Sequence, residues 1–343
     1  MIVDNKKEAV KPTGKKQIWS WLNLLLTAVL LGVGIWYIAQ RVTLAELVKA
    51  FAEANIFYIL LSLIIVILTL ALKSWRWQIL LTTSEDKPAF SAVFLAFNLG
   101  AYVNLILPFM RMGEIARIFA IDWMAHVSKT RALGTIVVEK LLDLIMLGLL
   151  FMLVLPFAIM PAFVHNPLPM ITAVSLLSLL LLYLLAFQTK WILTVSRLFA
   201  RWLPAKWEQR TMRWLVSGLE GLNALHHKRQ TLGIISLSVL IGLSSIVGGY
   251  LLFQAFHLGL GIIEAAILTI VTILAIAPPT TPGKIGVLNG AVALTLIGFG
   301  VRDNAILVSY STVYYIIIVL PVILFGGLAA SQTDWKWEKH PSA

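Results

Sequence analysis

Long apolar runs alternate with short polar connections along this chain. The runs cover Ile18 to about Gln40, Asn55 to Trp77, 131–155, 169–187, 231–253 and 304–328. Each approaches the roughly twenty residues that an α-helix needs to cross the hydrocarbon of a bilayer. Two further apolar stretches are shorter and interrupted. One enters at 90–108 and breaks over Asn104 to Arg117, through Pro108 and Gly113. The other consists of 262–277 and 285–300, flanking Pro278 to Gly290. Proline lacks a backbone N–H and fixes φ, so both stretches are expected to break their helices.

The polar connections predict sidedness. Residues 1–17 carry five lysines, and the apolar run behind them is too long for a signal-peptide core, with no small-residue cleavage pattern. An uncleaved first span with a cytoplasmic N-terminus is expected. The loop 156–168 has three prolines and no Lys or Arg, which places it outside. If 90–108 crossed fully, Arg111, Arg117, Lys129 and Arg131 would fall outside, against the charge bias. A re-entrant segment that turns back near Asn104–Gly113 keeps them inside. For 262–300 the charges do not choose between a re-entrant pair and full crossings. The segment 190–229 holds eight basic residues against two acidic ones, interleaved with Trp191, Trp202, Trp207 and Trp214, the pattern of helices lying in the cytoplasmic interface. Lys73, Trp75, Arg76 and Trp77 close the second run and are expected to reach the same interface.

These features predict an all-α polytopic membrane protein of about six full spans plus two broken or re-entrant segments. A single transmembrane domain, 18–330, lies between a basic tail, 1–17, and a second cytoplasmic tail, 331–343. Span, broken segment and span recur over about 55–155 and 231–328 with opposite starting sides, as an inverted repeat does.

Composition agrees. The chain has 343 residues, 59% of them hydrophobic and 13% charged, with mean hydropathy +0.90. A soluble domain is nearer a quarter charged. The net charge of +11 suggests anionic lipid headgroups rather than nucleic acid in so apolar a chain. With no cysteines, disulfides and thiolate metal sites are excluded. The six histidines are scattered without His-x-x-x-His, so no metal or other cofactor is expected. Walker, dinucleotide and Gly-x-Ser-x-Gly motifs are absent.

Two broken segments at matching places in a membrane chain point to a transport site. In the first, Asn104, Pro108, Arg111, Gly113, Glu114 and Arg117 are candidates. Arg111, Glu114 and Arg117 share roughly one helical face, and guanidinium matches phosphate geometry. Alternatively they are connector charges pairing in water. Glu139, Lys140 and Asp143 interrupt an apolar span near mid-bilayer, with Arg111, Arg117 or Lys284 as natural partners. They serve either function or an internal ion pair that fixes helix packing. In the second break, Thr281, Pro282, Gly283, Lys284, Gly286 and Asn289 are candidates. Lys284 beside free backbone N–H groups suits an anion, and Gly286-x-x-x-Gly290 suits close helix approach. The alternative is a packing kink with a snorkelling lysine.

At these motifs the chain resembles the lysylphosphatidylglycerol synthase transmembrane (flippase-like) family, also called UPF0104. The matching residues are Trp75-Arg76-Trp77 with Leu80-Leu81, Asn104, Pro108 through Gly113-Glu114 to Arg117, Glu139 to Asp143, and Thr281-Pro282-Gly283 with Ile285-Gly286-Val287. The resemblance implies a bacterial plasma-membrane protein of the lipid-translocating type. In full-length members that region moves aminoacylated phospholipid made by a following cytoplasmic synthase domain. This chain ends at Ala343 without one, so synthesis itself is not expected. Lys140 stands where the family usually has arginine, Asn289 where glutamate is frequent, and Lys284 where glycine is frequent. These departures make the second site more cationic and favour an anionic headgroup over a lysyl-bearing one.

The leading expectation is therefore a translocase for an anionic phospholipid or lipid-linked headgroup. One alternative is a membrane enzyme or subunit in lipid-linked glycan synthesis, using Glu114 with Glu139 or Asp143 as acid and base. Another is a scaffold that recruits a lipid-modifying synthase or glycosyltransferase through 190–229.

Overall fold

The computed structural model describes residues 52–83, 86–107, 112–154, 228–278 and 281–332, with isolated positions 45, 48, 173, 176, 177 and 180. The first span, nearly all of the fourth run (169–187), the basic segment up to 227 and both tails lie outside the described residues, as do Pro108 and Arg111.

The described residues are helical. In chain order the helices are α1 (Ile56–Leu81), α2 (Phe90–Ile106), α3 (Met112–Ala125), α4 (Lys129–Val154), α5 (Lys228–Ala255), α6 (Ile262–Ile276), α7 (Val287–Gly298) and α8 (Asn304–Gln332). A single 3₁₀ turn, Pro282–Lys284, lies between α6 and α7. α1, α5 and α8 are long and apolar enough to cross a membrane. α4 equals α1 in length but carries Glu139, Lys140 and Asp143 near its middle.

α1 shows how the bilayer inverts the usual pattern. Ile56, Leu60, Ile64 and Leu68 recur every fourth residue and are exposed. The opposite face carries Ser62, Thr69 and Arg76, seven residues apart and buried, and Asn55, seven residues before Ser62, caps the start of the helix. That polar seam meets α5. Asn55 N–H donates to the Ala255 carbonyl (2.8 Å) and Ser62 Oγ to the Gly248 carbonyl (2.9 Å). Thr69 Oγ1 meets Ser244 Oγ at 2.8 Å, and Arg76 meets Ser238 Oγ at 3.0 Å. The partner numbers fall as the α1 numbers rise, so the two helices are antiparallel. A seven-residue seam drifts only about 20° per repeat, so it stays against its partner along the whole contact.

The short helices fold back in pairs. α2 and α3 are joined by five residues, and Arg117 of α3 lies 4.5 Å from the Phe97 ring of α2. Gly113 N–H donates to Asn104 Oδ1 at 2.8 Å. Contacts at 104–113 and 97–117 define an antiparallel hairpin. A Cβ at Gly113 would overlap the Gly100 carbonyl and the Asn104 side chain, so the tight approach requires glycine. The second pair, α6 and α7, turns through Gly283 (φ 70°), Lys284 (φ 60°) and Gly286 (φ 81°). The break expected at Pro282–Gly283 is present. The close approach expected at Gly286 and Gly290 is not, since nothing lies within 4 Å of a Cβ built at either. Backbones come together instead at Gly100–Gly113 and at Gly326, against Tyr102 and Asn98.

Packing repeats between the two sets of four helices. α1 packs on α2 as α5 packs on α6, α2 on α8 as α6 on α4, and α1 on α4 as α5 on α8. Two apolar cores result. One gathers Trp77, Leu81, Val93, Ile121 and Val138. The other gathers Phe151, Phe253, Leu268, Val292 and Tyr310.

Candidate functional site

Between the two cores lies a cavity of about 400 Å³, within the roughly 300–1,000 Å³ range of small-molecule sites. Thr69, Lys140, Ser244 and Ile318 line it, each close to the midpoint of its long helix. The cavity therefore sits halfway along α1, α4, α5 and α8. Its wall is largely apolar, yet it carries charged and hydroxyl groups at that depth, and these require a reason, because lipid offers no partner to a polar group.

The first break contributes its hairpin. Asn104 holds the start of α3: its Oδ1 accepts the Gly113 N–H, and its Nδ2 donates to Glu114 Oε2 at 3.1 Å. That places Glu114 and, one turn later, Arg117 on the cavity wall. Arg117 is buried and donates to both Glu139 oxygens, at 3.1 and 2.5 Å. Its guanidinium also lies 3.5 Å from the Trp77 ring centroid. Trp77 in turn donates Nε1–H to Thr135 Oγ1 at 3.0 Å. A guanidinium with a bidentate carboxylate and a ring face is fixed in position.

α4 distributes its three charges between two neighbours. Glu139 takes Arg117 and Lys140 faces Glu114 at 3.6 Å, both on α3. Asp143 takes Arg76 of α1 at 2.6 Å. Arg76 is 2% exposed and Trp77 fully buried. The expectation that these two reach the membrane interface is thus overturned. The Asp143 carboxylate draws Arg76 into the protein, the Arg117 guanidinium and the Thr135 hydroxyl draw Trp77 in, and Trp75 faces out.

The structure brings together Asn104, Gly113, Glu114, Arg117, Glu139, Lys140 and Lys284 on one wall system. Lys284 reaches it from the 3₁₀ turn, which packs on α2. Other expected residues lie away from the cavity lining. Asp143 is held by Arg76. Thr281 donates to the Ile285 carbonyl at 2.7 Å. Asn289 supports the start of α7, with Oδ1 3.4 Å from the Gly286 N–H and Nδ2 donating to the Ser311 carbonyl at 3.1 Å. Pro282, Gly283 and Gly286 shape the turn that presents Lys284. Tyr315 fastens that turn by donating to the Gly283 carbonyl at 2.9 Å.

Lys73, expected at the membrane interface, lines the cavity instead, and sequence reasoning missed the hydroxyls of Ser62, Thr69, Ser245, Thr269 and Thr272 beside it. The signal was the seven-residue polar seam of α1, with Lys73 one turn beyond Thr69. Among the described residues, no group of His, Cys, Asp and Glu is placed to hold a metal ion.

Residues 21–326 match the family described as the lysylphosphatidylglycerol synthase TM region. The chain is 22% identical over 283 residues to a UPF0104 membrane protein of Methanocaldococcus jannaschii, which covers 80% of both chains. It is 23% identical over 283 residues to a UPF0104 membrane protein of Methanothermobacter thermautotrophicus, covering 77% of this chain and 82% of that one. No solved structure matches.

Proposed function

The chain belongs to the lysylphosphatidylglycerol synthase TM region family, and we propose that it is a lipid translocase, moving an anionic phospholipid or lipid-linked headgroup between leaflets. One observation carries this proposal. Charged groups from α1, α3, α4 and the second break share a single cavity at the midpoints of the long helices. Lys73, Arg117, Lys140 and Lys284 face it, against Glu114 and Glu139. Four cations against two carboxylates leave a positive surplus that attracts phosphate. The headgroup occupies this cavity while the acyl chains stay in lipid.

The alternative of acid–base catalysis is less well supported. A general acid or base needs a carboxyl free to exchange a proton with its substrate. Glu139 is instead held by two Arg117 bonds. By the charge bias of 1–17 and of Lys336 and Lys339, the protein sits in the plasma membrane with both termini cytoplasmic. A lipid-modifying synthase or glycosyltransferase acting on the same lipid is the partner this role calls for.

The test is leaflet exchange of a fluorescent anionic phospholipid in vesicles containing the purified full chain. Exchange faster than in empty vesicles, and slowed by Lys284→Gln, is expected. No exchange for any anionic lipid, with Glu139→Ala and Asp143→Ala equally inert, refutes the proposal.

A further inference from the structure

All four long helices among the described residues pass the cavity, and α8 alone contains a proline. α1, α4 and α5 run through without one, while Pro321 lies inside α8. A proline has no N–H to give to the carbonyl four residues back, and its ring crowds that carbonyl. The carbonyl concerned belongs to Ile317, and Ile317, Ile318, Val319 and Val322 all line the cavity. α8 is therefore weakest where it borders the proposed site.

The two parts of α8 belong to different bodies. Before the proline, Leu307, Tyr310, Val313, Tyr314 and Ile317 enter the core that holds Phe253, Leu268 and Val292. After it, Ala329 enters the core that holds Trp77 and Val93. Each part also grips one hairpin. Phe325 sets its ring 5.1 Å from that of Phe94, and Gly326 lies against Tyr102 and the Asn98 backbone, so the later part is fixed to α2. The earlier part holds the second hairpin at two places. The Ser311 carbonyl accepts from Asn289 at 3.1 Å, and one turn later Tyr315 donates to the Gly283 carbonyl at 2.9 Å. Lys284, next in the chain, has a left-handed φ of 60°, which a residue with a Cβ rarely adopts. A turn so shaped keeps its form only while its neighbours hold it. Tyr315 thereby sets where Lys284 stands on the cavity wall.

We infer that α8 hinges at Pro321 and that Tyr315 is the positioning residue through which the 3₁₀ turn follows the hinge. Bending at Pro321 swings α6, the turn and α7 as one body. Lys284 then moves toward or away from α2, on which the turn packs here, and the cavity closes or opens between the hairpins. This supplies the moving part of the proposed translocase, and its role in transport rests on that reading.

The test measures distances by pulsed electron paramagnetic resonance on the full chain, in phosphatidylcholine vesicles with and without phosphatidylglycerol. Spin labels go on Ile106→Cys in α2 and Leu294→Cys in α7, both exposed and away from the cavity lining. They attach nowhere else, because the chain has no cysteine. Two distance populations are expected, with phosphatidylglycerol shifting their ratio. Pro321→Ala restores the missing helix bond, leaves one population and slows exchange of fluorescent phosphatidylglycerol several-fold, while its binding is unchanged. Pro321→Gly, which keeps a weak point in the helix, retains both populations and most of the exchange. Tyr315→Phe leaves the populations of this pair in place, yet merges those of Ile106→Cys with Ile285→Cys, whose label sits beside the turn. One unchanging distance in the labelled parent protein overturns the hinge, as do both populations persisting in a monodisperse Pro321→Ala protein. Should Pro321→Ala not fold, loss of the second population in Pro321→Gly overturns it as well. A turn that still follows α8 in Tyr315→Phe overturns the role of Tyr315. Hinge motion as expected without any lipid exchange supports the hinge and refutes translocation alone.

Discussion

Arg117 and Glu139 face each other across two hydrogen bonds, 3.1 and 2.5 Å long, with the guanidinium resting 3.5 Å from the Trp77 ring centroid. Both partners are buried. Such a pair adds little net stability, because desolvation offsets the attraction, but removing one partner strands a charge. Glu139→Ala is expected to destabilise the protein by about 3–5 kcal/mol. The double variant Arg117→Met/Glu139→Leu is expected to recover most of that loss. Unfolding of the purified protein in detergent, followed by size-exclusion chromatography after heating, measures both. Additive losses in the double variant would show that the pair does not act as a unit.

The glycines separate close approach from open space. Alanine at Gly113 places a methyl group against the Gly100 carbonyl and Asn104, and alanine at Gly290 meets nothing within 4 Å. Gly113→Ala is expected to cost about 1–3 kcal/mol, as overpacking does. Gly290→Ala is expected to be neutral or slightly stabilising, by up to about 1 kcal/mol, from helix propensity. The same thermal assay decides. A harmless Gly113→Ala would mean that the hairpin is looser than described.

The antiparallel seam of α1 and α5 is open to cross-linking, because the chain has no cysteine of its own to interfere. Thr69 and Ser244 touch at 2.8 Å through their hydroxyls. Thr69→Cys with Ser244→Cys is expected to form a disulfide on mild oxidation. Ile64→Cys with Ser244→Cys is not, since Ile64 lies on the exposed face. A protease site inserted between the two helices reads the result as one band or two on a denaturing gel.

Lys140 distinguishes structure from substrate handling. Its contact with Glu114 is long, at 3.6 Å, and partly exposed. Pairs of that kind contribute about 0–1 kcal/mol. Lys140→Gln is expected to leave the melting temperature within about 2–3 °C of the original while slowing anionic lipid exchange several-fold. A variant with full exchange activity would remove Lys140 from the site.

Much of this was legible in the sequence, because a membrane imposes simple rules. Run length fixed α1, α5 and α8 as candidate spans, and prolines and glycines located both interruptions. Charge inside an apolar run singled out Glu139 and Lys140, since lipid provides nothing to compensate a charge. What one-dimensional reading could not supply was which partner each charge takes. Asp143 was expected to face the arginines of the first break or Lys284, and it pairs with Arg76, 67 residues away. Arg76 and Lys73 read as interface cations because they lie near the end of a run. Helix packing, not position along the run, turned them inward. Asn289 looked like a ligand residue, but the geometry of the turn uses it to support α7. The sequence by itself determined that the chain is helical, lipid-facing and broken in two places, because hydropathy and proline chemistry act locally. Only the tertiary structure decided that Lys73, Glu139 and Lys284 share one cavity, because that depends on which faces of distant helices meet.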